Sequence, residues 1–312
     1  MRVMPPISLD TEHLRLRRLH DNLRARSLIL HAVREFFTEK DFIEVETPVR
    51  IDAPAPELHI NAEPSGDAYL RTSPELQMKR LLASGMERLF QIGPCFRLGE
   101  FGDLHNPEYT MLEWYRAEAD YVDVLADTKS LLLYIASKLL GHTHLTYNGV
   151  TVDLVPWERL TVREAFILHA GWDPVSAYDA DRFDVDMVNL VEPALARDAP
   201  VILKDYPREA AALARFKETD PQVAERWELY IGGLELANAY SELTDPAEQV
   251  RRFEACNRQR KELGREAYPI DPSFLRSLHR GMPPSAGVAL GIDRLVMLFT
   301  DAARLDEVMA FR

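Results

Sequence analysis

Apolar residues recur at helical spacing near the start of the chain. Leu30, Val33 and Phe37 fall near one face and predict a helix over residues 23–39. The pattern then shortens to a strand over 42–46, stopped by Pro48, and an irregular stretch over 52–67 that carries Pro54, Pro56 and Pro64. Ser73 reads as an N-cap with Pro74 at the first helical position, opening a helix that ends near Gly85. Strands over 88–97 and 109–116 flank a loop with Gly99, Gly102 and Asn106, which predicts a hairpin. Helices follow over 125–140 and from Thr161, where Glu164 completes a capping box. A short buried strand covers 201–203, and two strands within 227–243 break at Gly232-Gly233. A last strand over 286–290 leads through Gly291 into a helix from Asp293. Hairpins mixed with helices, without regular alternation, predict an α+β domain on an antiparallel sheet flanked by helices.

Period two assigns faces within these strands. Tyr109, Met111, Glu113 and Tyr115 share one face of the second hairpin strand, which puts a partly buried carboxylate among apolar neighbours. Such a group needs a cationic or hydrogen-bonding partner. A structural ion pair and a ligand site both fit that strand alone. Asn238, Tyr240 and Glu242 also share a face, an amide, a ring and an acid in alternation. They suit the lining of a polar pocket with an aromatic wall, although a solvated sheet face would also explain them. Two such strands could clasp an ammonium group by charge and cation–π contact. Arg97, leaving a strand into a Gly-containing loop, has the side chain for bidentate contact to phosphate. The segment Gly287-Val288-Ala289-Leu290-Gly291-Ile292-Asp293-Arg294 lacks both the GxGxxG and GxxxxGK[ST] patterns. Its small residues permit close approach of a ligand, and Arg294 can point back over the strand.

Composition narrows the class without naming it. The net charge of −13 argues against a broad phosphate-neutralising surface, though not against a basic pocket for one nucleotide. Cys95 and Cys256 give neither a disulfide framework nor a zinc cage. No apolar run approaches a membrane span, and the arginine-rich N-terminus lacks the apolar core of a signal peptide, so the expected location is the cytoplasm.

Taken in order, these segments resemble the catalytic domain of class II aminoacyl-tRNA synthetases, lysyl branch. The likeness runs through Phe42-Ile43-Glu44-Val45-Glu46-Thr47-Pro48 and through Phe96-Arg97 to His105-Asn106-Pro107-Glu108-Tyr109 and Glu113. It continues in Ser73-Pro74-Glu75, in Glu235 to Leu243 and in Gly287 to Arg294. The resemblance implies ATP and magnesium (Mg2+) as cofactors. Arg97 would hold the α-phosphate and the attacking carboxylate, and Arg294 the γ-phosphate. Leu98, Gly99, Glu100, His105, Asn106, Tyr109, Glu235, Leu236 and Gly291 would complete the nucleotide site, with Tyr109 stacked on adenine. Glu228 and Glu235 would bind the metal. Glu75, with Ser73 and Pro74 beside it in the substrate site, would take the α-amino group. Glu113, Tyr115, Asn238, Tyr240 and Glu242 would surround the side-chain amine, above Ala289.

Departures from the lysyl pattern refine the expectation. About two dozen residues precede the first predicted helix, so residues 1–22 read as a short extension and 23–312 as the catalytic domain, with no anticodon-binding domain. Ala289 stands where lysyl-tRNA synthetases have Gly, Glu100 lies one place later than the usual Glu, and Asp41 replaces the usual Gly of the first motif. The first two of these features, the short N-terminus and Ala289, resemble the truncated synthetase paralogues that attach (R)-β-lysine to a lysine of elongation factor P. The implied substrates are elongation factor P and lysine or β-lysine, and the implied assembly is a homodimer. Charging of tRNA or another acceptor is the alternative.

Overall fold

The structure, a computed structural model, describes residues 9–211 and 213–312. The helix expected over 23–39 begins earlier, at His20, and a second helix, Leu9–Arg18, precedes it. Of the extension expected over residues 1–22, residues 1–8 lie outside the described residues. The rest is tied to the end of the chain, since Arg15 donates to the Ala310 carbonyl and Asn22 to that of Glu307. His20–Glu39 ends in a turn where Asp41 has φ 61°, the left-handed conformation that Gly takes freely and Asp tolerates.

Among the described residues, nine strands form the main sheet. Their order is Ile43–Glu44, Arg88–Phe96, Glu108–Ala117, Ser285–Gly291, Leu234–Ser241, Asp220–Ile231, Val201–Pro207 and Glu158–Thr161, with Phe216–Lys217 also paired to Asp220–Ile231. The sheet is mixed rather than purely antiparallel, because the two strands at its ends pair in parallel. The expected hairpin is present, Arg88–Phe96 against Glu108–Ala117. So is the break at Gly232-Gly233, a two-residue loop with both φ values positive (63° and 88°), as a tight hairpin turn demands. Thr161 and Glu164 form their capping box. The stretch over 52–67 is largely irregular but ends in Pro64–Ser65, part of a small three-stranded sheet with Arg50–Ile51 and Ala68–Leu70.

The strand period divides the main sheet cleanly. Leu112 and Trp114, Val288 and Leu290, Ala237 and Ala239, Trp227 and Leu229 pack with Phe37, Leu132 and Val296 of the helices His20–Glu39, Tyr121–Leu139 and Ile292–Thr300. Burying each large apolar side chain contributes roughly 1.5–3 kcal/mol, so this face fixes the sheet. The alternate residues are thereby turned to the opposite face, where polar groups gather.

Candidate active site

Register lines the central strands into rows across that opposite face. One row runs Gln91, Glu113, Ala289, Asn238, Glu228, and the next Leu89, Tyr115, Gly287, Tyr240, Arg226. Above them lies a cavity of about 330 Å³, within the range of small-molecule sites. Its lining includes Ser73, Glu75, Arg97, Glu100, His105, Asn106, Tyr109, Glu113, Tyr115, Glu228, Glu235, Leu236, Asn238, Tyr240, Ala289, Gly291 and Arg294. Segments separated by more than two hundred residues thus converge as their faces predict.

Four of the expected site residues do not line it. Arg97 leaves the strand at its end, and the Leu98 amide then donates to the Asn61 carbonyl (2.7 Å), which turns the Leu98 side chain outward. Gly99 follows with φ 82°, and Glu100 returns to the cavity, 3.8 Å from Arg97. Pro74 precedes the helix Glu75–Ala83 instead of occupying its first turn, and Ser73 Oγ accepts from the Glu75 amide (2.9 Å). Glu242 lies on the expected face but is sealed beneath it, 1% exposed. Gly287 is required above it: a Cβ there would stand 2.3 Å from the Tyr115 ring and 2.8 Å from a Glu242 oxygen.

What seals Glu242 is Lys79, a residue that face periodicity alone does not single out. Its side chain is 1% exposed, and its ammonium bridges Glu75 and Glu242 while sitting 5.5 Å over the Tyr240 ring. Burial works against its charge, but Glu242 and Glu75 outweigh that and hold Lys79 protonated. The Glu75–Lys79 spacing of four on one helix was the available signal. Glu75 accepts from Lys79 and from the Tyr240 hydroxyl (3.2 Å) on the same oxygen, Oε1.

Glu113 has neutral partners only. Ser73 donates to one of its oxygens (2.6 Å) and Tyr115 to the other (3.0 Å). Burial, reinforced by the charge of Glu75, pushes its carboxyl up to about 7. Burial likewise raises Glu242 to about 8, opposed by Lys79 and assisted by Glu75. Glu57, from the irregular stretch, lines the same cavity and is raised to about 7 by burial, with Arg97 opposing and Glu75 assisting. This end therefore holds more carboxyl groups than its own lysine can neutralise once they ionise.

The other end is cationic. Arg97 lies 5.1 Å over the Tyr109 ring, and its buried Nε has no hydrogen-bond partner. Arg294 donates to the Glu235 carbonyl (2.7 Å) and lies 2.9 Å from His105 Nε2. Partial burial and then Arg294 push His105 below its ordinary value, so the ring stays neutral beside the guanidinium. Asp293 fixes the helix start below Arg294: it pairs with Arg26 (2.6 Å) and accepts from the Thr110 amide (2.8 Å). Arg226, also unanticipated, donates to Glu228 (2.5 Å), whose second oxygen accepts from Tyr206 (2.6 Å) and Tyr230 (2.8 Å). Glu235 is freer, with its carboxylate 3.5 Å from Arg294 and its own acid form favoured by burial and then by Glu228.

A cavity basic at one end and acidic at the other, floored by a six-stranded antiparallel stretch, suits a phosphate-activated amino acid. Residues 6–312 match the family model described as tRNA synthetases class II (D, K and N). The chain belongs to that family. It is 40% identical over 306 residues to an elongation factor P–(R)-β-lysine ligase of Hamiltonella defensa subsp. Acyrthosiphon pisum (strain 5AT), across 93% of this chain and 94% of that protein. A ligase of the same name from Yersinia pestis (strain Pestoides F) is 37% identical, again across 93% and 94%. A lysine–tRNA ligase of Pelotomaculum thermopropionicum is 39% identical across 92% of this chain but 62% of its own length.

Proposed function

We propose that this enzyme activates (R)-β-lysine with ATP as an aminoacyl adenylate and transfers it to a lysine side chain of elongation factor P. The observation that carries the reading is the polarity of the cavity: arginines at one end, unneutralised carboxyls at the other, Ala289 between Glu113 and Asn238 on the floor. The two elongation factor P ligases, similar over nearly their whole length, support it further.

In this reading Arg97 takes the substrate carboxylate and the α-phosphate, its orphaned Nε supplying a donor in need of an acceptor. Arg294 and His105 face the β- and γ-phosphates, and Tyr109, Asn106 and Glu100 border the base and ribose. Carboxylate oxygen attacks the α-phosphorus in line, the P–O bond to pyrophosphate breaks, and no general base is needed for an ionised nucleophile. The protein's contribution is positioning and charge neutralisation. The acceptor lysine, as a free amine, then attacks the acyl carbon, an amide forms, and AMP leaves with the bond electrons. Glu235, backed by Glu228, offers the hard oxygen ligands that magnesium takes alongside phosphates. Magnesium bound there would neutralise charge on the leaving pyrophosphate. Glu113, Tyr115, Asn238 and Tyr240 face the terminal ammonium, with Glu242 acting from beneath through Lys79.

Leu28 and Ile43, 57% and 55% exposed, lie on the helix His20–Glu39 and the strand Ile43–Glu44 and suit a homodimer, which light scattering at micromolar concentration tests. No helix among the described residues is long and apolar enough to cross a membrane, and we place the enzyme in the cytoplasm. Mass spectrometry of elongation factor P incubated with the enzyme, ATP and each lysine isomer tests the function. Acylation of one lysine, fastest with (R)-β-lysine, is expected. An unmodified elongation factor P alongside efficient charging of tRNA would replace the reading with the synthetase alternative.

A further inference from the structure

The stretch that carries Glu57 has no strand or helix to orient it, yet side chains from elsewhere in the chain hold its backbone. Arg260 is fully buried, and both terminal nitrogens of its guanidinium are spent on this segment: Nη1 donates to the carbonyls of Glu57 (2.5 Å) and Ile60 (2.8 Å), and Nη2 to the Asn61 side chain (2.9 Å), while Nε donates to the Glu266 carbonyl (2.6 Å). Arg265 donates to the Leu58 carbonyl (2.5 Å), and the Tyr268 hydroxyl accepts from the Ala62 amide (2.7 Å). A buried guanidinium committed to backbone carbonyls is a costly arrangement unless the position it fixes matters. What it fixes is the Glu57 side chain on the cavity wall.

That carboxylate makes no hydrogen bond or ion pair with any described residue, although it feels the charges of Arg97 and Glu75. Its neighbour Glu75 is already engaged by Lys79 and Tyr240. An amino acid whose carboxylate rests on Arg97 places its nearer amine one or two carbons away, in the space between Arg97 and Glu75. The open negative group beside that space is Glu57.

We infer that Glu57, held in place by Arg260, is the specificity-determining carboxylate that takes the ammonium nearest the substrate's carboxyl group, while Glu113 serves the terminal one. The inference rests on the proposed activation of a lysine-type amino acid and adds a residue that neither the motifs nor the family match assigns. Two carboxyls without a cation, Glu57 half-buried and Glu113 buried, then match the two ammonium groups of one substrate.

Sulfamoyl adenylates of (R)-β-lysine and of 6-aminohexanoic acid, which keeps only the terminal amine, separate the possibilities by titration calorimetry. Glu57→Gln should weaken the β-lysyl compound roughly ten- to a hundredfold, the worth of a charged hydrogen bond, and leave the 6-aminohexanoyl compound within about twofold. Glu57→Asp should recover part of the loss. Equal weakening of both compounds would mean that Glu57 only tunes Arg97, and no weakening of the β-lysyl compound would mean that the amine lies elsewhere. Either result overturns the inference while leaving activation intact. Failure of the unaltered enzyme to bind either compound would instead sink the activation reading, and this inference with it.

Discussion

The two ends of the cavity solve opposite electrostatic problems with groups of opposite temperament. At the nucleotide end the charge is carried by Arg97 and Arg294, which stay ionised at any working pH. At the amine end it is carried by Glu57, Glu113 and Glu242, all pushed up into the range from about 7 to about 8 by burial. The first end waits for phosphate with its charge permanently displayed. The second carries charge only as far as a cation is present to hold it, and Lys79 supplies part of that cation from within.

Removing Lys79 should break the contrast most severely. Lys79→Met leaves Glu75 and Glu242 buried without a counterion, and breaking a buried pair typically costs about 3–5 kcal/mol. Urea unfolding should register a loss of that size, with part regained in Lys79→Met/Glu242→Gln. A variant as stable as the parent would show that the bridge is dispensable. Arg97→Ala strikes the other end. It should lower kcat for ATP–pyrophosphate exchange on the order of a hundred- to a thousandfold, because the contact strengthens as charge develops on the α-phosphate. Near-normal exchange would remove Arg97 from the mechanism.

Ala289 lies between the ends and sharpens the comparison. Its methyl group stands in the row between Glu113 and Asn238, where overpacking costs ~1–3 kcal/mol. Ala289→Gly should raise kcat/KM for α-lysine relative to β-lysine by roughly ten- to a hundredfold. An unchanged ratio would move selectivity off the strand.

The smallest effect is a pH dependence confined to one substrate. A carboxyl whose folded value lies above its unfolded one stabilises the fold below the unfolded value and loses that contribution as pH rises through the folded value. For Glu57, Glu113 and Glu242 the window runs from the ordinary carboxylate range near 4.5 up to about 7 or 8. The unliganded enzyme should therefore melt at progressively lower temperature across that window. Binding runs the other way, since an ammonium needs the ionised form. KM for the amino acid should rise by up to about tenfold for each pH unit below 7, for one proton displaced, while KM for ATP changes far less. Parallel changes in both KM values would erase the distinction between the ends.

Much of this floor was legible in the sequence because strand period is a statement about faces. Alternation put Glu113 with Tyr115 and Asn238 with Tyr240, and the register then brought both pairs into adjoining rows. Period does not say what lies above or below a face, which is why Glu242 was assigned to the cavity when Lys79 covers it. Arg226 escaped because the strand bearing it starts at Asp220, seven residues before the apolar pattern that marks a strand from Trp227. Glu57 sits where no period exists, and only the long-range bonds from Arg260 give its position meaning.

Lys79 has one more consequence. Its side chain ends in the same primary ammonium that a lysine-type substrate would present, so the pocket contains a tethered likeness of its guest that never dissociates. A sodium or potassium ion thus meets a site whose Glu75 and Glu242 carboxylates are already claimed. The resident ammonium leaves only the remaining acidic positions to be won, and these reward a visitor with two amines at a fixed separation over one with a single charge.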